Sequence, residues 1–427
     1  MRLIFVDLPT ADRLNFQPLA LSRPIWELRC GMTSLAEKMV ARVRPAEVAC
    51  FLPDYLAATY RTRTSWKVND LSGLQGADLL VVNPRLKAST FDISPAGPAQ
   101  VGLDEQGNVL YARIGKADAA RLKGDGIESF LDSAKASLPT TPCSLPRWKY
   151  VWDLVLANPG QITEDFAAAG HRGIEGKVEQ PSAIRGSKDG VFVGPGALVH
   201  PMVVIDASNG PVYIDEGAEV HPFSRIEGPC YIGKKSLLLG AKCREGNSIG
   251  PVCRIGGEVE ESIIQGYSNK YHDGFLGHAY VGEWVNLGAL TTNSDLKNDY
   301  SAVSVVLDGR TPVSTGSTKV GSLIGDHTKT SIGTLLNTGS YVGAMTLLVA
   351  TGKPLPKYIP SFAWYLEGAV SKGFGKGKLY ETARIAMGRR KMQWTDADEA
   401  MWDAVFEQTA EVRDVAVRKG RKQLLRK

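Results

Sequence analysis

The polar side chains between Glu258 and Asp299 are the first candidates for chemistry in this sequence of 427 residues. Two of them, His272 and His278, lie six residues apart, and imidazole is the side chain that titrates nearest neutral pH. Polar loops that interrupt a regular repeat usually form its binding face, so we expect a site here. The candidates are Lys270, His272, Asp273, His278, Asn286, Asn293 and Asp295.

A second set of candidates is the cations Arg23, Arg29 and Lys38, which follow the first predicted strand and lead into a predicted helix. Arginine forms paired hydrogen bonds with phosphate, and helix N-termini attract anions, so these three residues indicate a phosphate site. An equally good interpretation is that they are solvated or pair with Glu27 and Glu37.

A six-residue repeat must position the first set of candidates. Aliphatic residues recur at every sixth position over long stretches, and glycine or another small residue often follows them. A period of six is neither helical nor that of a simple strand, and it predicts a β-helix in which stacked coils bury an aliphatic column. The repeat comprises Val193, Val199, Ile205, Ile214, Val220, Ile226, Ile232, Leu238, Ile249, Ile255, Val281 and Leu287. Regularity resumes later, with Ile324, Ile332, Leu336 and Val342 as further interior candidates.

An α/β domain is predicted before the repeat. Strands at 3–6, 48–52 and 78–83 alternate with helical segments, and Ser34 is a candidate N-cap for the helix that follows it. Such a sheet is mostly parallel, and ligands bind beyond the carboxyl ends of its strands, so the loop after the first strand is the expected place for a site. A connecting helix from Lys149 is predicted to break at residues 158–160, near Pro159.

Three domains are predicted: an α/β domain at 1–185, the β-helix at 186–352, and a helical extension at 353–427. In the extension, Thr395 is a candidate N-cap with Asp398 three residues later. The apolar stripe that follows needs a partner surface, either the first domain or another subunit.

Composition favours a globular cytoplasmic protein. Hydrophobic residues make up 43% of the chain and charged residues 22%, and the formal net charge is only +5, which argues against nucleic acid as a partner. Six scattered cysteines predict reduced thiols and no metal site. Neither a secretion signal nor an apolar run of membrane-spanning length is expected.

Several motifs together resemble a known enzyme family. They are PLALSRPIWELRCG, KYVWDL, GYSNKYHDGFLGHAYVGEWVNLGA, GDHTKTSIGTLLNTG and IPSFAW. The chain resembles the bifunctional GlmU-type enzymes of UDP-N-acetylglucosamine synthesis, and in particular a divergent bacterial branch described as sugar nucleotidyltransferases.

The resemblance implies two activities. A Rossmann-like nucleotidyltransferase domain joins a sugar-1-phosphate to UTP with Mg²⁺, and a left-handed parallel β-helix of hexapeptide repeats, assembled as a homotrimer, transfers acetyl from acetyl-CoA to glucosamine-1-phosphate. By the same resemblance His278 matches the general base, with His272 as a competitor because hexad spacing would stack the two on one face. Lys270, Asn286 and Asn293 are then the substrate ligands, and Ser331 and Ala344 lie where acetyl-CoA binds.

The first domain departs from the family pattern. The Gly-rich phosphate loop is missing, and LALSRPIWELRCGMTSLAEK stands in its place, so Arg23 or Arg29 would replace the signature arginine and Lys38 the signature lysine. Asn83 occupies the place of a magnesium-binding aspartate, and Mg²⁺ prefers anionic oxygen ligands. An alternative interpretation is therefore a trimeric β-helix scaffold that binds a sugar nucleotide with an inactive first domain.

Overall fold

A computed structural model describes residues 1–425 of the chain. The strands before the β-helix are β1 (Arg2–Val6), β2 (Arg29–Cys30), β3 (Thr33–Ser34), β4 (Glu47–Phe51), β5 (Lys67–Val68), β6 (Leu79–Val82), β7 (Gln100–Leu103), β8 (Val109–Ile114) and β9 (Thr140–Pro142). The helices of this part are α1 (Ala11–Leu14), α2 (Leu35–Val43), α3 (Asp54–Arg61), α4 (Lys116–Ala119), α5 (Ile127–Ser137) and α6 (Val151–Ala169).

The first domain is built on a seven-stranded sheet in the order β5-β4-β1-β6-β8-β7-β9. Strands β5, β4, β1 and β6 are parallel, and β8 runs antiparallel to β6. The predicted α/β fold is therefore confirmed. Ser34 caps α2 in a reciprocal capping box with Glu37, as predicted.

Helix α6 differs from its prediction, because it continues without a break through Pro159. The side chain of Asn158 accepts a hydrogen bond from the Gly31 N–H (2.6 Å) and donates one to the carbonyl of Gly246 (2.8 Å). These contacts fix the helix between the first domain and the β-helix at the point where proline would favour a break.

The β-helix follows α6. Its strands are β10 (Gly173–Ile174), β11 (Lys177–Val178), β12 (Ala183–Gly186), β13 (Val191–Val193), β14 (Leu198–Val199), β15 (Val204–Ala207), β16 (Val212–Ile214), β17 (Glu219–Val220), β18 (Arg225–Glu227), β19 (Cys230–Ile232), β20 (Leu237–Leu238), β21 (Lys242–Cys243), β22 (Asn247–Ile249), β23 (Arg254–Ile255), β24 (Glu258–Glu260), β25 (Ile263–Gly266), β26 (Asn269–Lys270), β27 (Phe275–Gly277), β28 (Tyr280–Glu283) and β29 (Thr292–Asn293). Its later strands and its inserted hairpin are β30 (Ser304–Val306), β31 (Pro312–Ser314), β32 (Leu323–Ile324), β33 (Lys329–Thr330), β34 (Leu335–Leu336), β35 (Tyr341–Val342), β36 (Leu347–Leu348), β37 (Tyr358–Ile359), β38 (Trp364–Leu366) and β39 (Ala369–Ser371).

From β10 to β28, successive strands belong to three different sheets, and neighbouring strands within each sheet are parallel and one coil apart. The pairs β30–β31 and β38–β39 are antiparallel hairpins. Val199, Val220, Leu238 and Ile255 stand in register on four such coils and are buried. The predicted parallel β-helix is confirmed, and the arrangement is consistent with the left-handed form that the resemblance implies. Its strands extend beyond both predicted boundaries, from Gly173 to Ser371. Ile332, predicted to be interior, is 73% exposed because it occupies a corner between strands.

Three helices complete the described chain: α7 (Lys376–Gly388), α8 (Asp396–Gln408) and α9 (Ala410–Leu424). Thr395 caps α8 with Asp398, as predicted. The apolar stripe of α8, with Met401, Trp402 and Val405, joins the hydrophobic core that lies under the first-domain sheet. The partner surface of this helix is therefore the first domain of the same chain. No helix among residues 1–425 has the length and apolar character needed to cross a lipid bilayer.

Candidate functional sites

A cavity of about 500 Å³ lies at the carboxyl ends of β1 and β6, where the rule for parallel sheets places ligands. We call it the first-domain pocket. Asp7 and Asn83 directly follow the two strands, and helix α5 supplies the opposite wall. The polar residues that line the pocket are Asp7, Thr10, Asp12, Arg13, Asn83, Arg85, Asn108, Glu128, Asp132 and Lys135.

Two acidic side chains of this pocket are paired with arginine. The buried guanidinium of Arg13 donates to Asp7, and Arg85 lies 2.6 Å from Asp12. Burial lowers the pKa of Arg85, and Asp12 opposes that effect. Lys135 has only a longer contact, 3.7 Å to Asp132, so its ammonium is the cation of the pocket that a phosphate could engage most readily.

The resemblance implies Mg²⁺ at this site, and the residues at the ends of β1 and β6 do not form a magnesium site as they are arranged. The other carboxylates of the pocket, Glu128 and Asp132, lie on the opposite wall, on α5. Asp7 and Asp12 are both neutralised by arginine, and the Asn83 side-chain oxygen accepts a hydrogen bond from the backbone N–H of Arg85 (3.0 Å). Magnesium in nucleotide sites ordinarily takes at least one free carboxylate. No step proposed below is therefore routed through a metal ion.

The three cations predicted to hold phosphate lie elsewhere. Arg23 is fully buried against Asp326 and Glu283 of the β-helix, and Lys38 pairs with Asp165 of α6. Arg29 donates to the carbonyl of Met32, and its guanidinium lies 5.7 Å from the ring centroid of Tyr231. None of the three lines the first-domain pocket, because acidic and aromatic groups of α6 and of the β-helix hold them.

Arg85 and Lys135 were missed in the sequence. Glu128, Asp132 and Lys135 recur at spacings of four and three, which places them on one face of α5, and Arg85 comes two residues after Asn83. That periodicity was the available signal. The packing of α5 against the ends of β1 and β6 could not be predicted from the sequence, since about 120 residues separate α5 from β1 and about 45 separate it from β6.

In the β-helix, His278 is buried between two carboxylates. Its Nδ1 lies 2.8 Å from Asp295 Oδ2 and its Nε2 lies 3.2 Å from Glu261 Oε2, and the side chain is 3% exposed. Burial alone would lower the pKa of His278, but the hydrogen bonds to Asp295 and Glu261 outweigh burial and raise the pKa to about 9. The imidazole is therefore protonated at neutral pH, and both of its nitrogens are engaged.

His272 has the opposite environment. Its side chain is exposed at the corner after β26, and within residues 1–425 the imidazole forms no hydrogen bond, only a ring contact with Tyr271 at 5.0 Å between centroids. The two histidines do not stack on one face, as the hexad spacing led us to expect. A six-residue step leads from β26 to β27, which belong to different sheets, and stacking requires a full coil.

Two of the predicted substrate ligands lie inside the β-helix. Lys270 stands in register with the interior residue Ile255, and its ammonium donates to the carbonyls of Gly256 and His272, each at 3.0 Å. Burial lowers the pKa of Lys270 to about 8. Asn293 is buried and exchanges two hydrogen bonds of 2.8 Å with the peptide groups of Gly277. Both side chains support the coil and present no free group to a substrate.

The remaining predicted residues are dispersed. Asn286 is exposed, and its side-chain oxygen accepts a hydrogen bond from Asn269 (3.2 Å). Ser331 is partly exposed at a corner, where its hydroxyl accepts from the Ala350 N–H (2.8 Å). Ala344 is fully buried against the first domain. The structure therefore does not bring Ser331 and Ala344 to one open surface of the chain.

The His278 cluster predicts a pH dependence of stability. The pKa of the imidazole rises from 6.5 to about 9 on folding, so its stabilisation is complete below pH 6.5 and disappears as the pH rises through 9. We expect a loss on the order of 3 kcal/mol in the free energy of unfolding between about pH 6 and about pH 9.5. Urea unfolding of wild type and His278→Gln across this range measures it. Parallel curves for the two proteins would contradict the assignment.

Parts of this chain are similar to known proteins. Residues 3–172 match the sequence model of a protein family described as sugar nucleotidyl transferase. A bifunctional sugar-1-phosphate nucleotidylyltransferase/acetyltransferase of Sulfurisphaera tokodaii is 36% identical over 87 residues, which are 20% of this chain and 21% of that protein. The bifunctional protein GlmU of Rippkaea orientalis is 31% identical over 122 residues, 28% of this chain and 25% of that protein.

The chain thus matches only about a fifth to a quarter of the length of these curated relatives. Among solved structures, a UDP-N-acetylglucosamine acyltransferase is 14% identical with a TM-score of 0.27, over 56% of this chain and 90% of that chain. The UDP-N-acetylglucosamine acyltransferase of Francisella novicida is 13% identical with a TM-score of 0.28, over 57% and 90%. The sequence matches support the prediction of an enzyme with transferase activity.

Proposed function

We propose that this chain is a bifunctional transferase of UDP-N-acetylglucosamine synthesis. Its first domain joins a sugar-1-phosphate to UTP, and its β-helix transfers acetyl from acetyl-CoA to the amine of glucosamine-1-phosphate. The observation that carries the first activity is the first-domain pocket, which opens at the carboxyl ends of parallel strands within the segment that matches sugar nucleotidyl transferases.

In the nucleotidyl transfer, a phosphate oxygen of the sugar-1-phosphate attacks the α-phosphorus of UTP. The bond to the bridging oxygen breaks, and pyrophosphate leaves. Negative charge accumulates on the leaving group, and cations fixed beside it stabilise that charge. Lys135 and Arg85 are the groups of this pocket that can do so.

Replacing Lys135 with alanine is expected to lower kcat/KM for pyrophosphate release by roughly tenfold or more, because a hydrogen bond to a charged group contributes about 1.5–3 kcal/mol. A coupled assay with UTP and N-acetylglucosamine-1-phosphate measures the rate. Arg121→Ala is the matched control, since Arg121 is a surface cation of the same domain that is 77% exposed. Equal losses in the two variants would contradict the role of Lys135.

A second outcome distinguishes the alternative function. The pairing of Asp7 and Asp12 with arginines favours a pocket that binds a sugar nucleotide without making one. Wild-type protein that binds UDP-N-acetylglucosamine but releases no pyrophosphate would establish this scaffold function for the first domain.

The acetyl transfer rests on the exposed His272. The substrate ammonium loses a proton to the imidazole, its nitrogen attacks the thioester carbonyl, and CoA leaves as the thiol. A histidine can accept that proton near neutral pH only where its charged form is not already held in place. His278 is held by two carboxylates, and His272 is not.

The assembly is part of the same proposal. A homotrimer in the cytoplasm, as the resemblance implies, would place the corner after β26 next to a neighbouring β-helix, and acetyl-CoA would bind in the groove between them. Light scattering of the purified protein tests the trimer, and a monomer would exclude a shared groove.

A further inference from the structure

A second cavity of about 240 Å³, which we call the β-helix groove, lies between the outer face of the β-helix and the end of α7. Its floor is formed by Asn269, Asn286 and Lys329, which stand one above another on three successive coils. Arg389 and Arg390 close it from the helix side. The groove shares no lining residue with the first-domain pocket.

Several cations lie at this groove, and its described lining contains no carboxylate. Lys329, Arg389 and Arg390 line the groove. Arg254 does not line it, but this residue stands one coil before Asn269 in the same row and lies close enough to Arg390 to lower the pKa of that guanidinium. None of these four residues forms an ion pair within residues 1–425. The Arg254 Nη1 and the Arg390 Nε are buried and have no hydrogen-bond partner.

Such an arrangement is costly unless something neutralises it. A buried donor left without an acceptor destabilises the fold, and a charged donor does so more strongly. Arg254 and Arg389 add to the effect of burial in lowering the pKa of Arg390, and burial lowers the pKa of Lys329 to about 7. Arg390 has one polar partner, the Asn269 oxygen at 2.9 Å, and Lys329 donates only to backbone carbonyls. An anion in the groove would balance the charge of the lining cations, and it would lie beside Arg390, whose Nε has no hydrogen-bond partner.

The remaining walls of the groove indicate which chemical group should adjoin the anion. Trp284 stacks on Tyr267 at 4.5 Å between ring centroids and 19° between planes, and both residues line the groove. Next to them, the side-chain nitrogen of Asn286 has no acceptor within residues 1–425. A flat apolar wall beside cations and a free amide donor suits a phosphate group that is attached to a ring.

We propose that the β-helix groove binds the diphosphate group of a nucleotide-type ligand. At about 240 Å³ the groove is smaller than the roughly 300–1,000 Å³ of sites that enclose a drug-sized ligand, so it would cover the diphosphate and the adjoining ring only. The source of the group is free pyrophosphate, a UDP-sugar or CoA. The proposal does not depend on catalysis in the first domain, because every residue that carries it belongs to the β-helix or α7.

Hydrogen exchange of the full chain, with and without inorganic pyrophosphate, UDP-N-acetylglucosamine or CoA, tests the proposal, because exchange locates the bound ligand. We expect slower exchange in peptides that cover residues 264–287 and 382–392. Ligand bound in the first-domain pocket would instead protect peptides near residues 7–13 and 127–137. The ligand that gives protection at the lowest concentration identifies the source of the diphosphate.

The variant Arg389→Gln removes an exposed charge at the end of α7 and leaves the buried contacts intact. We expect it to weaken binding at the groove at least tenfold, and Arg390→Gln to weaken it further. Lys378→Gln, an exposed cation of the same helix outside the groove, is the matched control and should bind as wild type does. The proposal is overturned if none of the three ligands protects the groove, or if Arg389→Gln and Lys378→Gln bind equally well.

Discussion

His272→Ala is expected to reduce CoA release from acetyl-CoA and glucosamine-1-phosphate by about 10²–10⁴-fold, the range that a general base contributes. Pyrophosphate release by the first domain should remain, since His272 lies on the β-helix and the variant removes only an exposed side chain. The two rates are measured on the same protein preparation with acetyl-CoA and with UTP.

The comparison with His278 decides the assignment. His278→Gln removes a charged group that bridges Asp295 and Glu261, so we expect a loss of stability, most evident below pH 6.5, and a smaller loss of CoA release. The result that would reverse the assignment is full activity in His272→Ala together with an inactive but folded His278→Gln.

The pH dependence of the rate of CoA release also tests which histidine is the base. A base with the raised pKa of His278, about 9, would give a rate that climbs until the pH exceeds 9. A rate that levels off well below pH 9 would therefore argue against His278 as the base.

The sequence predicted one role for Lys270, and the structure shows another. The sequence placed it among substrate ligands, yet its ammonium holds the backbone carbonyl of His272 from inside the coil. It is thus a positioning residue for the corner that presents the exposed imidazole. The family motif predicted a site in this stretch of chain, and the structure shows which of its residues face solvent.

The sequence could not reveal that change because the coils differ in length. Val220 follows its stacking partner Val199 by 21 residues, whereas Lys270 follows Ile255 by 15. The hexad period predicted the β-helix and its aliphatic column, since each strand contributes one interior residue. It did not predict stacking between coils, which depends on the length of every corner, so Lys270 and Asn293 were assigned to the outside.

The first domain illustrates a similar limit. The alternation of strands and helices located the pocket, because parallel strands all end at one edge of the sheet. It did not identify the cations there. Arg23 looked available for phosphate, but its partners Asp326 and Glu283 lie about 300 and 260 positions later, and no local pattern indicates that pairing.

That long-range pairing gives the largest expected effect on stability. Asp326 accepts hydrogen bonds from Arg23, from the Ser22 hydroxyl (2.7 Å) and from the Glu283 N–H (2.8 Å), and both charged side chains are almost fully buried. Burial opposes the charge on Arg23, but Asp326 and Glu283 outweigh it and raise the pKa of the guanidinium. Both side chains are therefore charged, and their ion pair holds the first domain against the β-helix.

Asp326→Ala is expected to lower the free energy of unfolding by about 3–5 kcal/mol, because it removes the closest carboxylate from a buried guanidinium and leaves Glu283 as its remaining salt-bridge partner within residues 1–425. The double variant Arg23→Met/Asp326→Ala should be less destabilised than Asp326→Ala alone, since it removes the charge that was left uncompensated. Urea unfolding of the four proteins of this cycle gives the coupling energy. The exposed pair Arg310–Glu411 is the control, and Arg310→Ala should cost less than about 1 kcal/mol. Additive losses in the cycle would show that the ion pair does not hold the two domains together.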